Sequence, residues 1–189
     1  MREMRKIKRI KTKRIKTKRL ILRPFETTDL KDFYEYCKNP AVGLNAGWKP
    51  HESLNESYVV LLSFIKSGGI WALTERGSDK VIGSVGVHFD DFDKSPKVKM
   101  VGYALAQEYW GRGYMTEAVD AVIRYAFKKL KLKKLTIYHF TDNLRSKRVI
   151  EKSGFKFIKE LKAHYKMFDG TLRDELYYEL SAEDYLPRN

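Results

Sequence analysis

At 189 residues, with 43% hydrophobic and 33% charged side chains, the chain has enough apolar material for one buried core, and no stretch reaches the 18 consecutive apolar residues of a transmembrane helix. The formal net charge of +14 is concentrated at one end: residues 1–19 hold eleven Lys or Arg against Glu3 alone, which leaves +4 for the other 170 residues and excludes a domain that is basic throughout. A lone cysteine, Cys37, excludes an internal disulfide framework. With no apolar run of signal-peptide length at the N-terminus, these features predict a soluble, cytoplasmic protein without a membrane partner.

The chain opens on a basic arm in which the unit Lys-Arg-Ile-Lys-Thr occurs at residues 8–12 and again at 13–17, then begins a third time. Ile7, Ile10, Ile15 and Leu20 fit neither a helical nor a strand period, so residues 1–16 are expected to be disordered unless a partner orders them. Such a partner would be a ribosome, RNA or an acidic protein, held by counterion release, and would make a nucleic-acid- or ribosome-binding protein one reading of the chain; the alternative is a solvated extension. The folded domain is placed at residues 17–189.

Leu20 to Pro24 reads as a short strand. Thr28-Asp29 then caps a helix with Leu30, Phe33, Tyr34 and Cys37 on one side, ending near Asn39-Pro40. Residues 41–52 read as a loop from their Gly and Pro. Ser53 and Glu56 form a capping box for a second helix, which Gly68-Gly69 ends. Strands follow at Ile70 to Glu75, Val81 to Phe89 and Val98 to Ala106, joined as an antiparallel meander. A helix opens in Gly111 to Leu130, its apolar stripe running from Met115 to Leu130, with Glu117 and Asp120 early and Lys128 and Lys129 late, as the helix dipole favours. A strand at Leu135 to Phe140 and a short helix at Leu144 to Lys152 come next, with Gly154 as C-cap. Two strands, Phe155 to Lys162 and Arg173 to Leu180, close the chain around an Asp169-Gly170 turn.

The chemically informative stretch is Val101 to Thr116, VGYALAQEYWGRGYMT: a strand, a turn with glycines at 111 and 113, then a helix. Glycines let the backbone approach a ligand closely, and a helix start presents unpaired N–H groups, which together suit a pyrophosphate. A dinucleotide fingerprint is excluded because Thr116 stands where its third glycine belongs, and no Gly-Lys-Ser/Thr is present for a P-loop. No His has metal-ligand spacing with another His, Cys or Asp, so no metal is expected.

The run from Tyr109 to Ala118, followed thirty residues after Gly113 by Asn143-Leu-Arg-Ser146 and the Ser-Gly-Phe ending at Phe155, resembles the GNAT superfamily of acetyl-CoA-dependent N-acetyltransferases. Thr17 to Pro24 is similar to the usual start of its RimJ/RimL branch, which includes enzymes that acetylate ribosomal-protein N-termini. The resemblance covers residues 17–181. It implies an α/β (α+β) GNAT fold: a mostly antiparallel, twisted and splayed sheet of about seven strands with about four helices. It further implies acetyl-CoA as co-substrate and an amine as acceptor, first a protein (ribosomal) N-terminal amine and otherwise a small amine such as a polyamine or aminoglycoside. Monomer and homodimer both remain open.

Carried over position by position, Tyr103, Ala104, Leu105 and Ala106 would offer backbone groups to the pantetheine. Trp110, Gly111, Arg112, Gly113 and Tyr114 would cradle the pyrophosphate, and Thr116 would add a hydroxyl. Glu108 stands where the family usually has Gln or Arg. Asn143 would contact the pantetheine, and Ser146 would assist the leaving thiolate as the catalytic residue. From residue type alone, Asn143 and Ser146 read equally as helix caps. The family's common acidic position falls on Met100, which is no base; a second one falls near His164 or Tyr165, and a water relay is the remaining option. His88 and His139 read as structural, while Trp48 and Tyr58 are expected to wall the acceptor side.

Overall fold

The computed structural model describes residues 10–90 and 92–185, so the first nine residues of the expected disordered arm lie outside the described residues. Its strands are β1 (Ile15–Lys16), β2 (Leu20–Pro24), β3 (Ile70–Glu75), β4 (Val81–His88), β5 (Val98–Leu105), β6 (Lys134–Phe140), β7 (Lys156–Lys166) and β8 (Leu172–Ser181). They form one sheet in the order β1-β2-β3-β4-β5-β6-β8-β7, antiparallel throughout except for β5 against β6. The helices are α1 (Leu30–Cys37), α2 (Pro40–Ala46), α3 (Leu54–Ser67), α4 (Tyr114–Lys128) and α5 (Leu144–Lys152).

Two buried clusters cover the two faces of this sheet. The larger gathers the α4 stripe, Met115, Ala118, Val119, Val122, Ile123 and Ala126, against Leu22, Trp71, Val85, Val101 and Ile137. The smaller packs Phe33, Tyr36, Cys37 and Leu61 of α1 and α3 against Phe25, Ala72 and Ala104. In α1 the buried side is thus Phe33, Tyr36 and Cys37, with Tyr34 at its margin. Asp29 does not cap α1. Its carboxylate takes both Arg23 guanidinium nitrogens at 2.8 Å and the Glu26 N–H at 2.8 Å, bracing a short 3-10 turn at Thr27–Asp29 ahead of the helix.

Two elements exceed the sequence expectation of about seven strands and four helices, and each has a local cause. The extra helix, α2, lies in the segment read as a loop. The Asn39 side chain accepts from the Ala41 N–H at 2.9 Å, Pro40 occupies the first turn where no N–H is needed, and Gly47 ends the helix at φ 89°. Gly and Pro are therefore the punctuation of a helix here. The extra strand, β1, comes from the arm, and residues 10–16 are not disordered.

Ile15 pairs with Leu22, Ile10 bridges Gly68, and both isoleucines pack against the larger core. Thr12 Oγ accepts from the Gly69 N–H, and the Lys13 carbonyl accepts from the Trp71 indole N–H, each at 2.8 Å. The repeat has a structural meaning: its isoleucines turn inward while Lys11, Lys13, Arg14, Lys16 and Lys18 stay exposed. A turn from Thr17 to Leu20 resets the phase before β2, which hides the pattern from any fixed period. The capping of α3 also differs in detail. Ser53 Oγ accepts from the Glu56 N–H at 3.1 Å, but the Glu56 carboxylate takes the N–H of Glu52, one residue earlier than in a capping box.

Deleting residues 1–16 therefore removes the partners of the Gly69 N–H and the Trp71 indole, each costing about 1–3 kcal/mol, along with two part-buried isoleucines. The thermal midpoint should fall by about 5 °C or more. An unchanged midpoint in a thermal melt would show that the arm adds nothing to the fold.

Candidate acetyl-transfer site

The site begins where two strands part. β5 and β6 pair only at Val98–Lys134, Lys99–Leu135 and Met100–Thr136. Beyond Met100, β5 stays with β4 as far as Leu105 opposite Gly83, while β6 stays with β8 as far as Phe140 opposite Glu175. One backbone edge of β5 is left facing an opening. Because the Ala106 N–H donates to the Ile82 carbonyl at 2.8 Å, alternation turns Ala104 and Ala106 toward β4 and the polar groups of Tyr103 and Leu105 toward the split.

This opening is a cleft of about 500 Å³. Its walls include Tyr103, Ala104, Leu105, Trp110, Gly111, Gly113, Tyr114, Thr116, Asn143 and Ser146. The turn before α4 carries Gly111 at φ 77° and Gly113 at φ 75°, a backbone that L side chains rarely adopt. A Cβ added to Gly111 would meet nothing within 4 Å, so the space above this turn is open to a ligand. Gly113 begins α4 without a side-chain cap, and the first helical N–H bond of this turn, from Glu117 to the Gly113 carbonyl, leaves the earlier amides of the helix free for an anion. Arg145, Arg148 and Lys152 of α5 also line the cleft, and no carboxylate does. The residues present thus fit an extended polyanionic co-substrate with a diphosphate at the turn.

At the inner end, the Tyr103 hydroxyl and Ser146 Oγ lie 2.8 Å apart. Burial pushes the Tyr103 phenol well up, partly opposed by its bond to Ser146, so it stays protonated and able to donate. Asn143 is the cap expected from its type, its Oδ1 accepting from the Ser146 N–H at 3.1 Å at the start of α5, and its Nδ2 also donates to the Asn45 carbonyl at 3.2 Å. α2 roofs this end, contributing Val42, Asn45 and Ala46 to the lining. Its terminal carbonyls have no helical partners and are taken by three other elements. Arg173 donates to Leu44 at 3.1 Å, Asn143 to Asn45, and the Tyr165 hydroxyl to Gly47 at 2.8 Å.

Several expected positions move. Ala106 is buried, its N–H is spent on Ile82, and it does not line the cleft. Arg112 also stays out of the lining; its guanidinium lies 5.1 Å from the Tyr109 ring centroid and its carbonyl accepts from Arg19. Trp48 braces α2 by donating to the Cys37 carbonyl at 3.4 Å, and Tyr58 sits on the outer side of α3, so neither walls the cleft. The α5 cations and the α2 residues escaped the sequence reading. Arg145, Arg148 and Lys152 do fall at i, i+3 and i+7, one side of a helix, and that spacing was the available signal.

Of the two candidates for a base, Tyr165 is occupied by Gly47. His164 is not: its Nδ1 meets Glu175 Oε2 at 2.5 Å, its ring stacks on Phe92 at 5.1 Å, and among the described residues Nε2 has no partner. Phe92 is held by Asp90, a buried carboxylate that accepts from the N–H groups of Phe92 and Asp93, from Thr136 Oγ and from the Tyr138 hydroxyl. His139, bonded to the Phe140 carbonyl at 2.8 Å and to the Tyr178 hydroxyl at 3.2 Å, is structural. Burial holds the His88 imidazole below its usual range, beside Gly102. Among the described residues no group of His, Cys, Asp or Glu is arranged to hold a metal ion, and no helix is long and apolar enough to cross a membrane.

Residues 19–156 match the family described as the acetyltransferase (GNAT) domain. The chain belongs to the GNAT acetyltransferases. This GNAT enzyme is 28% identical over 142 residues to the uncharacterized N-acetyltransferase YoaA of Bacillus subtilis, covering 72% of this chain and 79% of that protein. It is 32% identical over 88 residues to the [ribosomal protein uS5]-alanine N-acetyltransferase of Escherichia coli, 46% of this chain and 44% of that one. In fold it is similar to a GNAT-family acetyltransferase from Bacillus anthracis, with TM-score 0.82, 23% identity, and 90% and 99% of the two chains covered. The ribosomal-protein-S5-alanine acetyltransferase of Vibrio fischeri aligns with TM-score 0.72 at 22% identity over 93% of this chain and all of that one.

Asn143→Ala should cost about 1 kcal/mol in a denaturant melt through the lost cap and should also lower kcat/KM, because the same side chain ties α5 to α2. An unchanged kcat/KM would separate the tie from function. A second expectation concerns acid. Desolvation raises the Asp90 pKa, but its four hydrogen bonds outweigh this and hold it below the ordinary 3.8. Its stabilisation is complete above that value and is lost as pH falls through the lower folded pKa, so Asp90→Asn should flatten the acid limb of a stability-versus-pH curve.

Proposed function

We propose that this GNAT enzyme transfers acetyl from acetyl-CoA directly to the N-terminal amine of a protein, a ribosomal protein first among acceptors. The carrying observation is the split between β5 and β6, with the Tyr103–Ser146 pair inside it and the Gly111–Gly113 turn at its mouth. The acceptor assignment is supported by the likeness to the uS5-alanine N-acetyltransferase.

In this reading the turn amides and the α5 cations hold the diphosphate end, and the free edge of β5 orients the pantetheine so that the thioester lies beside Ser146. His164 takes a proton from the acceptor ammonium at Nε2, its Nδ1–H fixed by Glu175. The amine nitrogen attacks the thioester carbonyl carbon; a C–N bond forms and the C–S bond breaks. As the tetrahedral intermediate collapses, the second proton lost by the amine nitrogen passes to the departing sulfur through Ser146, backed by the Tyr103 hydroxyl, so that CoA leaves as the free thiol and the pair is restored. Lys11, Lys13, Arg14 and Lys16, exposed along the packed arm, favour docking on ribosomal RNA by the same enzyme.

Thiol release from acetyl-CoA is to be measured with N-terminal peptides, polyamines and aminoglycosides. Release with the peptides alone is expected. Ser146→Ala, Tyr103→Phe and His164→Gln should each lower kcat by about 10-fold or more. Release with small amines alone would overturn the acceptor assignment, and full rates in the Ser146 and Tyr103 variants would overturn the role of that pair.

A further inference from the structure

Arg19, the arginine of the third, truncated repeat unit, ends on the loop that precedes α4. Its backbone N–H donates to Glu117 Oε1 and its Nε to Glu117 Oε2, both at 2.7 Å, while its NH1 donates to the Arg112 carbonyl at 2.8 Å. The same guanidinium lies 4.6 Å from the Tyr114 ring centroid. A Cβ placed on Gly113 would come within 3.5 Å of its NH2. Glu117, in the first turn of α4, also accepts from Thr17 Oγ at 2.6 Å, and the Tyr114 hydroxyl donates to Glu75 at 2.5 Å. Arg19 is not in the cleft lining, whereas Gly111 and Gly113 are.

The geometry of a trans peptide gives this clamp its meaning. The carbonyl of residue 112 and the N–H of residue 113 point in opposite directions within one plane, the bond between them being trans. Drawing the Arg112 carbonyl out toward Arg19 therefore turns the Gly113 N–H inward, toward the cleft. That peptide joins Arg112 to Gly113, and on the Gly113 side, at φ 75°, no Cβ restricts its rotation. Glu117 in turn holds the guanidinium, so α4 and the peptide are set by one fork.

We propose that Arg19 is the positioning residue of the diphosphate cradle: it fixes the Arg112–Gly113 peptide with its amide directed at the co-substrate's diphosphate. The inference rests on the reading of this turn as the acetyl-CoA site. It assigns to Arg19 a selection for acyl carriers that bear a diphosphate, exerted without contact to the carrier. Lysine cannot reproduce it, since one ammonium lacks the planar fork that serves Glu117 and the Arg112 carbonyl together.

The test compares Arg19→Lys, Arg19→Gln and the neighbouring charge control Lys18→Gln with the wild type, using acetyl-CoA and acetyl-pantetheine, which has no diphosphate. Both Arg19 variants should raise KM for acetyl-CoA by about 10-fold with kcat within about twofold, and leave kcat/KM for acetyl-pantetheine unchanged. Lys18→Gln should match the wild type. In amide NMR, CoA should shift the Gly113 resonance strongly in the wild type and weakly in Arg19→Lys, a readout that does not need turnover. Equal losses with both donors, or an unchanged KM for acetyl-CoA, would overturn the inference while the wild type still binds CoA. A wild type that does not bind CoA would overturn the reading of the turn and the inference with it. Should Arg19→Gln fail to fold, Arg19→Lys, which keeps the charge and the stem, carries the same expectations.

Discussion

Three backbone pairs between β5 and β6 govern the rest of this molecule. They join the two halves of the sheet at Val98 to Met100 and then stop, so that the strands diverge and the β5 edge beyond Met100 is open. An unpaired strand edge inside a protein is costly unless something else meets its N–H and C=O groups. Here the Trp110 indole takes the Leu105 carbonyl at 2.8 Å, and the remaining groups face the cleft, where a ligand's amides can supply the missing ladder. The catalytic opening is thus a sheet defect stabilised on both sides by intact pairing.

The roof of the cleft depends on the same economy of polar groups. A seven-residue helix cannot satisfy its own last carbonyls, and α2 leaves three of them for Arg173, Asn143 and Tyr165 to take. These partners come from β8, from the start of α5 and from β7, 98 to 129 residues further along the chain than the carbonyls they meet. The short helix is therefore stitched to the opposite half of the sheet and bridges the split. Gly47 is required at this seam twice over: its φ is 89°, and a Cβ there would lie 2.8 Å from the Tyr165 ring.

Charge is distributed by role. Cations on α5 enter the cleft, with Arg145 stacked 4.2 Å over the Trp110 ring, whereas the arm's lysines remain outside it in solvent. One basic residue of the repeat differs from its counterpart in the preceding unit, because Arg19 meets a carboxylate and a carbonyl whereas Arg14 is exposed. The aromatic platform of Phe92, Tyr138 and Tyr177 under His164 is tied down by the buried Asp90, which accepts from the Phe92 N–H and the Tyr138 hydroxyl.

The strand segments of β3 to β6, the α4 stripe, the two glycines before it and the Asn143–Ser146 spacing were all legible along the chain, because each rests on neighbours within a few residues. Through the family resemblance they carry, they sufficed for the fold class and for the part of the cleft lining drawn from β5, the turn before α4, and Asn143 and Ser146. Long-range contact decided the rest. The arm is ordered because its isoleucines and carbonyls find Gly68, Gly69 and Trp71 some 58 residues on, which no local period records. Ala106 and Arg112 left the site because their backbone groups pair with Ile82 and Arg19, and Tyr103 entered it through its side chain because β5 happens to face α5. Sequence by itself determined which segments could be strand, turn or helix; only the tertiary structure decided which of their polar groups remained free, since that depends on partners the chain brings together by folding.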